Sequence, residues 1–233
     1  MRVAVQINME GVFVLKNVRL FFKKDGPLRF VSHLDMNRVM TRILRLSKVP
    51  VWYTEGFNPH PYITFALPLS LGFSSEYEVM DFRLDDDNFD TEKAKQMIAD
   101  VCPVGIEVIA LKEPTLKAGK IAFATFDITF LSESKATLSS LKQFLNQKEI
   151  IVSKTTKKGG VKEIDLAQKL KSFTLDGDEE NPKIISLTLP AGGEDNINPK
   201  LLIDAYIGFT GGKKDFYTVN RTSLLTADLI KFE

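Results

Sequence analysis

Both histidines of this chain lie in short polar segments whose residue types could do chemistry. The first motif, residues 29–35, reads Arg-Phe-Val-Ser-His-Leu-Asp and contains His33. The second motif, residues 53–61, reads Tyr-Thr-Glu-Gly-Phe-Asn-Pro-His-Pro and contains His60. An imidazole can act as a general acid or base, bind a metal ion or hydrogen-bond a phosphate. The sequence therefore places any functional site around these two motifs.

An amphipathic helix is predicted to separate the motifs. Ser32 is a favourable N-cap residue, and Asp35 stands at the third helical position, as an acid does in a capping box. Apolar residues then recur at near-helical spacing from Leu34 through Leu46, so the helix is expected to end near residue 47. Three arginines are spaced to form one basic stripe facing solvent: Arg38, Arg42 and Arg45. A strand at 49–54, with Pro50 near its start, is predicted to lead into the second motif.

The order of predicted elements indicates an α+β fold built from two tandem ferredoxin-like halves packed together, the second half decorated with extra elements around 166–175. The domains are predicted at 1–112 and 113–233, because apolar periodicity lapses over 113–120, where Pro and Gly appear. The predicted strands are 18–24, 49–54, 63–66, 77–84, 106–111, 123–131, 150–152, 161–166, 184–189 and 215–221. The predicted helices are 33–47, 89–101, one starting at 132–134, and 199–207. A hairpin turn is expected at 157–160.

Cysteine content excludes several classes of protein. Cys102 is the only cysteine, which rules out an internal disulfide and any cysteine-rich zinc or iron–sulfur site within this chain. A buried structural thiol is expected there, because a nucleophilic cysteine needs a base beside it.

With no run of eighteen apolar residues and no secretion signal at the N-terminus, we expect a cytoplasmic chain without a membrane span. No cofactor is expected.

The net charge of +1 hides local asymmetry. Basic residues predominate over 1–60 and again over 112–171, whereas acidic residues predominate over 76–100. This pattern predicts one basic and one acidic face.

Three functional interpretations of the motifs remain open. His33, Asp35 and His60 have the residue types of a metal site with two histidines and one carboxylate. Because positions i and i+2 of a helix point apart, no metal site is predicted. Alternatively, His33 or His60 is a general acid or base near a phosphate held by arginines, as in a metal-independent endoribonuclease. The third interpretation is binding. Whether the chain is an enzyme stays open, with a non-enzymatic role preferred.

The binding interpretation combines phosphate partners with stacking faces, a combination that suits single-stranded or looped RNA. The arginines would contact phosphates, while Phe30, Trp52, Tyr53 and Phe57 would contact bases. In the alternative, the arginines form a solvated face and Trp52 and Phe57 belong to the core. The predicted contact surface comprises Arg29, Ser32, His33, Asp35, Arg38, Arg42, Arg45, Tyr53, Glu55, Phe57, Asn58 and His60. If the two histidines share one small ligand, they should lie within about 15 Å of each other.

Rigid backbone is expected in the second motif. Gly56 can adopt a positive φ, Asn58 can bond its own backbone, and Pro59 and Pro61 restrict the residues around His60. Such a segment loses little entropy on binding, although it could equally be a corner that joins two strands.

The two motifs resemble the signature of the uncharacterised bacterial radical-SAM-linked proteins. The resemblance is strong over 18–84 and continues through the residues Phe-Ala-Leu-Pro-Leu-Ser-Leu-Gly at 65–72 and Ser-Glu-Tyr at 75–77. Many of those proteins have Arg where this chain has Tyr62, so that basic contact is not carried over. The resemblance implies an accessory protein encoded near, and acting with, a radical SAM enzyme. A single cysteine cannot supply the three thiolates of such an enzyme's cluster, so the chain is not itself that enzyme. A pure protein–protein adaptor is the remaining alternative.

Overall fold

Single helices separate groups of one to three strands along this chain, because β-branched and aromatic runs are separated by amphipathic segments. The computed structural model describes residues 5–8, 11–131, 133–155, 159–193 and 195–233. The α+β class is confirmed, and the strand pairs within each unit are antiparallel. The chain divides into two compact units, Met1–Ala118 together with Glu233, and Gly119–Phe232. Within the described ranges, no helix is long and apolar enough to cross a membrane.

Within its described residues, the first unit contains six strands and two α-helices. These are β1 (Val5–Asn8), β2 (Gly11–Val14), β3 (Lys16–Lys24), α1 (His33–Ser47), β4 (Thr64–Phe65), β5 (Ser74–Leu84), α2 (Thr91–Ala99) and β6 (Ile106–Lys112). β1 and β2 pair with each other. The other four strands follow the order β4-β5-β3-β6. A 3₁₀-helix, Gly26–Phe30, connects β3 to the loop before α1.

The core of the first unit lies between this sheet and the two helices. Val18, Leu20 and Phe22 alternate along β3 and are buried, as expected for side chains on one face of a strand. The buried stripe of α1 consists of Met36, Met40, Ile43, Leu44 and Ser47. Leu34 and Leu46 were expected on this stripe but are exposed. Leu34 precedes Met36 by two positions, which is about 200° around a helix and therefore on the opposite side.

The strand predicted at 49–54 is wrong. The segment makes only isolated bridges among the described residues, from Val51 to Leu84 and from Tyr53 to Pro61. Pro50 and Pro61 have no N–H to donate, so a ladder cannot extend through them. The segment instead runs beside β5 and then turns out into the second motif, with Trp52 N donating to the Arg83 carbonyl at 2.9 Å.

In the part of the chain that the structure describes, the second unit contains six strands and three α-helices. These are β7 (Phe123–Phe130), α3 (Leu138–Leu145), β8 (Ile151–Thr155), β9 (Val161–Asp165), α4 (Leu166–Lys169), β10 (Ser172–Asp176), β11 (Lys183–Pro190), α5 (Pro199–Phe209) and β12 (Tyr217–Leu225). Four of the strands follow the order β10-β11-β7-β12, while β8 and β9 pair with each other in a separate hairpin. The extra elements expected around 166–175 are α4 and β10. Residues 157 and 158 of the predicted hairpin turn lie outside the described residues.

Helix α3 begins later than predicted. The expected start at 132–134 included Ser132, which lies outside the described residues, and the structure begins α3 at Leu138. Thr137 is the N-cap: its hydroxyl accepts from Ser140 N at 3.1 Å, while Ser140 Oγ accepts from Thr137 N at 3.2 Å. This reciprocal capping box satisfies two backbone donors and therefore fixes the start of the helix.

Candidate functional site

Helix α1 is capped as its sequence predicts, and the N-cap residue Ser32 hydrogen-bonds the Asp35 carboxylate. Ser32 Oγ accepts from Asp35 N at 3.1 Å and donates to Asp35 Oδ2 at 2.7 Å. Arg38 Nη1 donates to Asp35 Oδ1 at 2.8 Å. The Ser32 hydroxyl first, and the Arg38 guanidinium second, lower the pKa of Asp35 below its ordinary value. Asp35 therefore stays ionised at neutral pH, with both carboxylate oxygens engaged.

The ring of His33 is oriented by two neighbours. It packs edge-on against Phe65, with ring centroids 5.2 Å apart. Asn37 Nδ2 donates to the His33 carbonyl at 2.8 Å and lies 3.2 Å from His33 Nε2. An amide nitrogen only donates, so with this amide assignment Nε2 accepts and the proton of the neutral ring lies on Nδ1.

Hydrogen bonds within its own loop hold the ring of His60. Its Nδ1 lies 2.9 Å from the Asn58 carbonyl oxygen, which can only accept, so Nδ1 carries the proton. Thr54 Oγ1 accepts from His60 N at 3.3 Å and is 3.2 Å from Nδ1. Thr54 N donates to the His60 carbonyl at 2.9 Å. The side chain is exposed, so the Nε2 lone pair of the neutral ring is left to accept a hydrogen bond from a ligand.

The second motif forms a closed loop with an aromatic residue at its tip. The bridge from Tyr53 to Pro61 joins its ends. Gly56 has a φ of 121°, a conformation that other residues avoid. Phe57 follows and is fully exposed. The alternative assignment of Phe57 to the core is therefore wrong.

The first motif also presents apolar surface beside a cation. The guanidinium of Arg29 lies 4.7 Å from the centre of the exposed Phe30 ring. The Arg29 carbonyl accepts from Gly72 N at 2.7 Å, so the turn that carries Leu71 lies against this motif. Leu71 and Leu34 are also exposed. Arginine and apolar side chains thus share one region of the first unit.

The arginine stripe of α1 faces solvent as predicted. Arg38, Arg42 and Arg45 are all exposed. Arg38 is engaged by Asp35, whereas Arg42 and Arg45 form no ion pair within the part of the chain that the structure describes. Those two guanidinium groups are therefore available to an external anion.

Sequence analysis missed a stack of three side chains beside the second motif. The Arg83 guanidinium lies 5.3 Å from the ring centres of both Trp52 and Tyr62. The two rings contact each other edge-on at 6.2 Å. Tyr62 is exposed, so part of this stack faces solvent. The alternating pattern of β5 could have shown Arg83 as a polar outward position, but not which rings it contacts.

Strand β4 connects the two motifs. Phe65, which contacts His33, belongs to the short strand that follows the second motif along the chain. Phe65 also packs edge-on against Phe22 of the core, with ring centroids 6.4 Å apart. Both motifs are thus anchored to the first unit, and the sharing of one ligand by His33 and His60 stays a prediction.

A model of a bacterial protein family matches most of the chain. The family is described as "Uncharacterized protein conserved in bacteria (DUF2344)", and the match covers residues 17–199. The chain belongs to this family. The match includes both motifs, and the family description names no activity, ligand or partner. No curated protein matches the chain. An uncharacterised bacterial family is thereby confirmed, while association with a radical SAM enzyme stays a prediction.

The geometry of candidate metal ligands and of the single thiol can be described for this DUF2344 chain. Among the described residues, no group of three or more His, Cys, Asp and Glu side chains could hold a metal ion, so His33, Asp35 and His60 do not converge on one. Burial raises the pKa of Cys102 to about 11. Its Sγ donates to the Ile98 carbonyl at 3.3 Å, which suits the structural role expected for this thiol.

Proposed function

We propose that this chain is an accessory RNA-binding protein that holds single-stranded RNA on the first unit. The contact surface would combine the two motifs with the arginine stripe of α1. The observation that carries the proposal is the second motif: a hydrogen-bonded loop that exposes the whole Phe57 ring and also carries an oriented His60. A base can stack on such a ring in any sequence context, because every base has a π-face.

The surrounding side chains fit the other parts of a nucleotide. Arg42 and Arg45 are exposed and can neutralise phosphates. His60 Nε2 can accept from a base amino group or from a 2′-hydroxyl, the group that distinguishes RNA from DNA. Glu55 and Asn58 are exposed on the same loop and add further polar contacts. Loop geometry fixed by backbone hydrogen bonds reduces the entropy lost on binding.

We also propose that each unit is a ferredoxin-like fold, the second carrying the β8–β9 hairpin as an insertion. Support comes from the strand orders β4-β5-β3-β6 and β10-β11-β7-β12. If the four strands of each unit are numbered along the chain, both orders are second-third-first-fourth. The split βαβ arrangement produces this order when each helix crosses over the same face of the sheet.

The proposed partner is a radical SAM enzyme, to which this chain would present its RNA or other substrate. This part of the proposal rests on the resemblance of the two motifs to radical-SAM-linked proteins. A single cysteine fits a chain that accompanies such an enzyme without holding its cluster.

Fluorescence anisotropy with a labelled single-stranded RNA of mixed sequence tests the RNA-binding proposal. Three or four neutralised phosphates predict a slope of about −2 to −3 for log K against log salt concentration. We expect Phe57→Ala to weaken binding by about 5- to 150-fold, which corresponds to about 1–3 kcal/mol for one stacked base. The melting temperature should not change, because the ring is fully exposed.

Val104→Ala is the matched control, since Val104 is an exposed apolar residue of the first unit outside both motifs. Equal effects of Phe57→Ala and Val104→Ala would refute the proposed stacking role. Absence of salt-dependent binding would refute the RNA proposal as a whole.

A pure adaptor is the second candidate, and the exposed Leu34 and Leu71 favour it, because aliphatic side chains suit a protein surface better than a base. Pull-down from native extract separates the two functions. Recovery of a radical SAM chain without nucleic acid would support the adaptor and contradict RNA binding.

A further inference from the structure

The second unit contains a pocket that the proposed RNA surface does not use. Its volume is about 520 Å³. It lies among the segment 119–123 at the start of β7, the residues 168–171 between α4 and β10, and the turn that follows β11 at Pro190. Sites for small molecules in proteins commonly have volumes of about 300–1,000 Å³.

Backbone contacts hold the wall of this pocket in place. Ala191 N donates to the Ala122 carbonyl at 2.8 Å, which fastens the turn to the segment before β7. Gly192 has a φ of 129°, and a Cβ on it would stand 2.4 Å from the Ile121 carbonyl oxygen. Only glycine permits this approach of the two segments. The pocket is therefore formed before any ligand arrives.

Among the described residues, the charged side chains that line the pocket are mostly basic. They are Lys120, Lys169, Lys171 and Asp195. Lys169 Nζ forms an ion pair with Asp195 Oδ2 at 2.7 Å, which neutralises one lysine. In the described part of the chain, Lys120 and Lys171 have no carboxylate partner. Two cationic groups are thus left to attract an anion into a concave site.

Lys171 also lies next to an aromatic face. Its Nζ is 5.3 Å from the centre of the Phe123 ring, which is half-buried. A cation held over a ring face near solvent is bound less strongly than one that hydrogen-bonds a phosphate. Lys171 can therefore move to a phosphate group and leave the Phe123 face to a planar portion of the same ligand.

We propose that this pocket binds a small phosphorylated molecule that carries a planar ring, in the manner of a nucleotide. The phosphate would contact Lys120 and Lys171, and the ring would lie on Phe123. Gln168, which also lines the pocket, offers an amide for hydrogen bonds to ring substituents. No residue of this site belongs to the proposed RNA surface, so the two proposals can fail independently.

Isothermal titration calorimetry of the full chain with AMP tests the site. We expect saturable binding, weakened at least about tenfold when adenosine replaces AMP, because a charge-assisted hydrogen bond is lost with the phosphate. Lys171→Gln should weaken AMP binding by about fivefold or more for the same reason. Phe123→Leu should weaken binding of AMP more than binding of pyrophosphate, which has no ring to stack.

Lys214→Gln provides a matched control. Lys214 Nζ lies 5.2 Å from the centre of the Phe216 ring, so it makes the same type of contact outside the pocket lining. Unchanged AMP affinity in Lys214→Gln, with reduced affinity in Lys171→Gln, would support the proposal. Equal affinities in the two variants, or no saturation at about 10 mM AMP, a concentration above most physiological substrate levels, would overturn it.

Discussion

In its neutral form, each of His33 and His60 carries the ring proton on Nδ1, yet the two rings offer different atoms to a ligand. In His33, Nε2 is engaged by the Asn37 amide, so the free group of the neutral ring is the Nδ1–H donor. In His60, the Nδ1–H is engaged by the Asn58 carbonyl, so the free group is the Nε2 lone pair. One ring thus presents a donor and the other an acceptor. This pairing suits recognition of a ligand with both kinds of group, as an RNA nucleotide has.

We predict that His60→Ala weakens RNA binding without lowering stability. The side chain is exposed, and loss of one hydrogen bond to the ligand is worth about 1 kcal/mol, or about fivefold in affinity. Anisotropy and thermal denaturation of the same preparation measure both effects. A melting temperature several degrees lower in His60→Ala would assign the residue to the scaffold of the loop.

The double variant of His33 and His60 tests whether the two residues share one ligand. Effects of distant, independent sites add, whereas residues that contact the same group are coupled. A coupling free energy near zero would contradict a single site. Since the His33 ring packs on Phe65, thermal denaturation of His33→Ala is needed to separate lost packing from lost contact.

At the scale of elements, the loop of the second motif depends on backbone conformation more than on burial. Its ends are joined by the Tyr53–Pro61 bridge and by the hydrogen bond from Thr54 N to the His60 carbonyl. Gly56 supplies the positive φ that turns the chain before Phe57. The orientations of Phe57 and His60 therefore both depend on one glycine.

We predict that replacing glycine by alanine has opposite effects on stability at Gly56 and at Gly208. Gly56→Ala should strain the loop by about 1–3 kcal/mol, because a Cβ meets open space but the φ of 121° is unfavourable for alanine. The strain should lower RNA affinity by displacing Phe57 and His60. Gly208→Ala, in helix α5, should raise stability by up to about 1 kcal/mol, because a Cβ there also meets open space and the backbone is helical.

Chemical denaturation and anisotropy of the two variants measure these effects. Wild-type RNA affinity in Gly56→Ala would mean that the conformation of the loop does not matter for binding.

Local signals in the sequence predicted some elements well and others poorly. The start of α1 was predictable because Ser32 and Asp35 act within one helical turn. The start of α3 was not, because Ser and Thr recur over 132–140 and several of them could cap a helix. The strand at 49–54 failed since its pairing depends on β5 and on prolines that interrupt the ladder.

The candidate site also contains some features that the sequence predicted and others that it did not. Exposure of the arginine stripe followed from helical spacing and is confirmed. The Trp52–Arg83–Tyr62 stack was missed because it joins residues distant in sequence, and neither composition nor periodicity specifies such contacts. The pocket of the second unit is likewise assembled from three separate segments.

At the scale of the whole molecule, a net charge of +1 gives no general attraction to nucleic acid. The proposed RNA binding would therefore depend on local groups, namely the exposed arginines and aromatic rings of the first unit. The salt dependence of RNA affinity should reflect these few groups. Arg42→Ala should therefore reduce the magnitude of the slope of log K against log salt concentration by about 0.7.

An endoribonuclease is the alternative function in which this surface would cut the RNA that it binds. A metal-independent endoribonuclease needs a general base for the 2′-hydroxyl, and the sequence offered His33 or His60 for this role. Asn37 donates to Nε2 of His33, which leaves that ring without a free lone pair. His60 retains one on an exposed loop, and cleavage would also need an acid to protonate the leaving group.

We therefore predict that labelled total RNA incubated with the protein and EDTA stays intact while remaining bound. Gel electrophoresis measures cleavage, and anisotropy of a labelled single-stranded RNA under the same conditions measures binding. Fragments that persist in EDTA and disappear in His60→Ala would identify an endoribonuclease with His60 as its base. Fragments that disappear in His33→Ala instead would mean that Asn37 releases Nε2 when RNA binds, and Asn37→Ala should then increase the cleavage rate. Intact RNA in all three proteins, with affinity reduced in His60→Ala, is the outcome expected for a binding protein that leaves the chemistry to its partner.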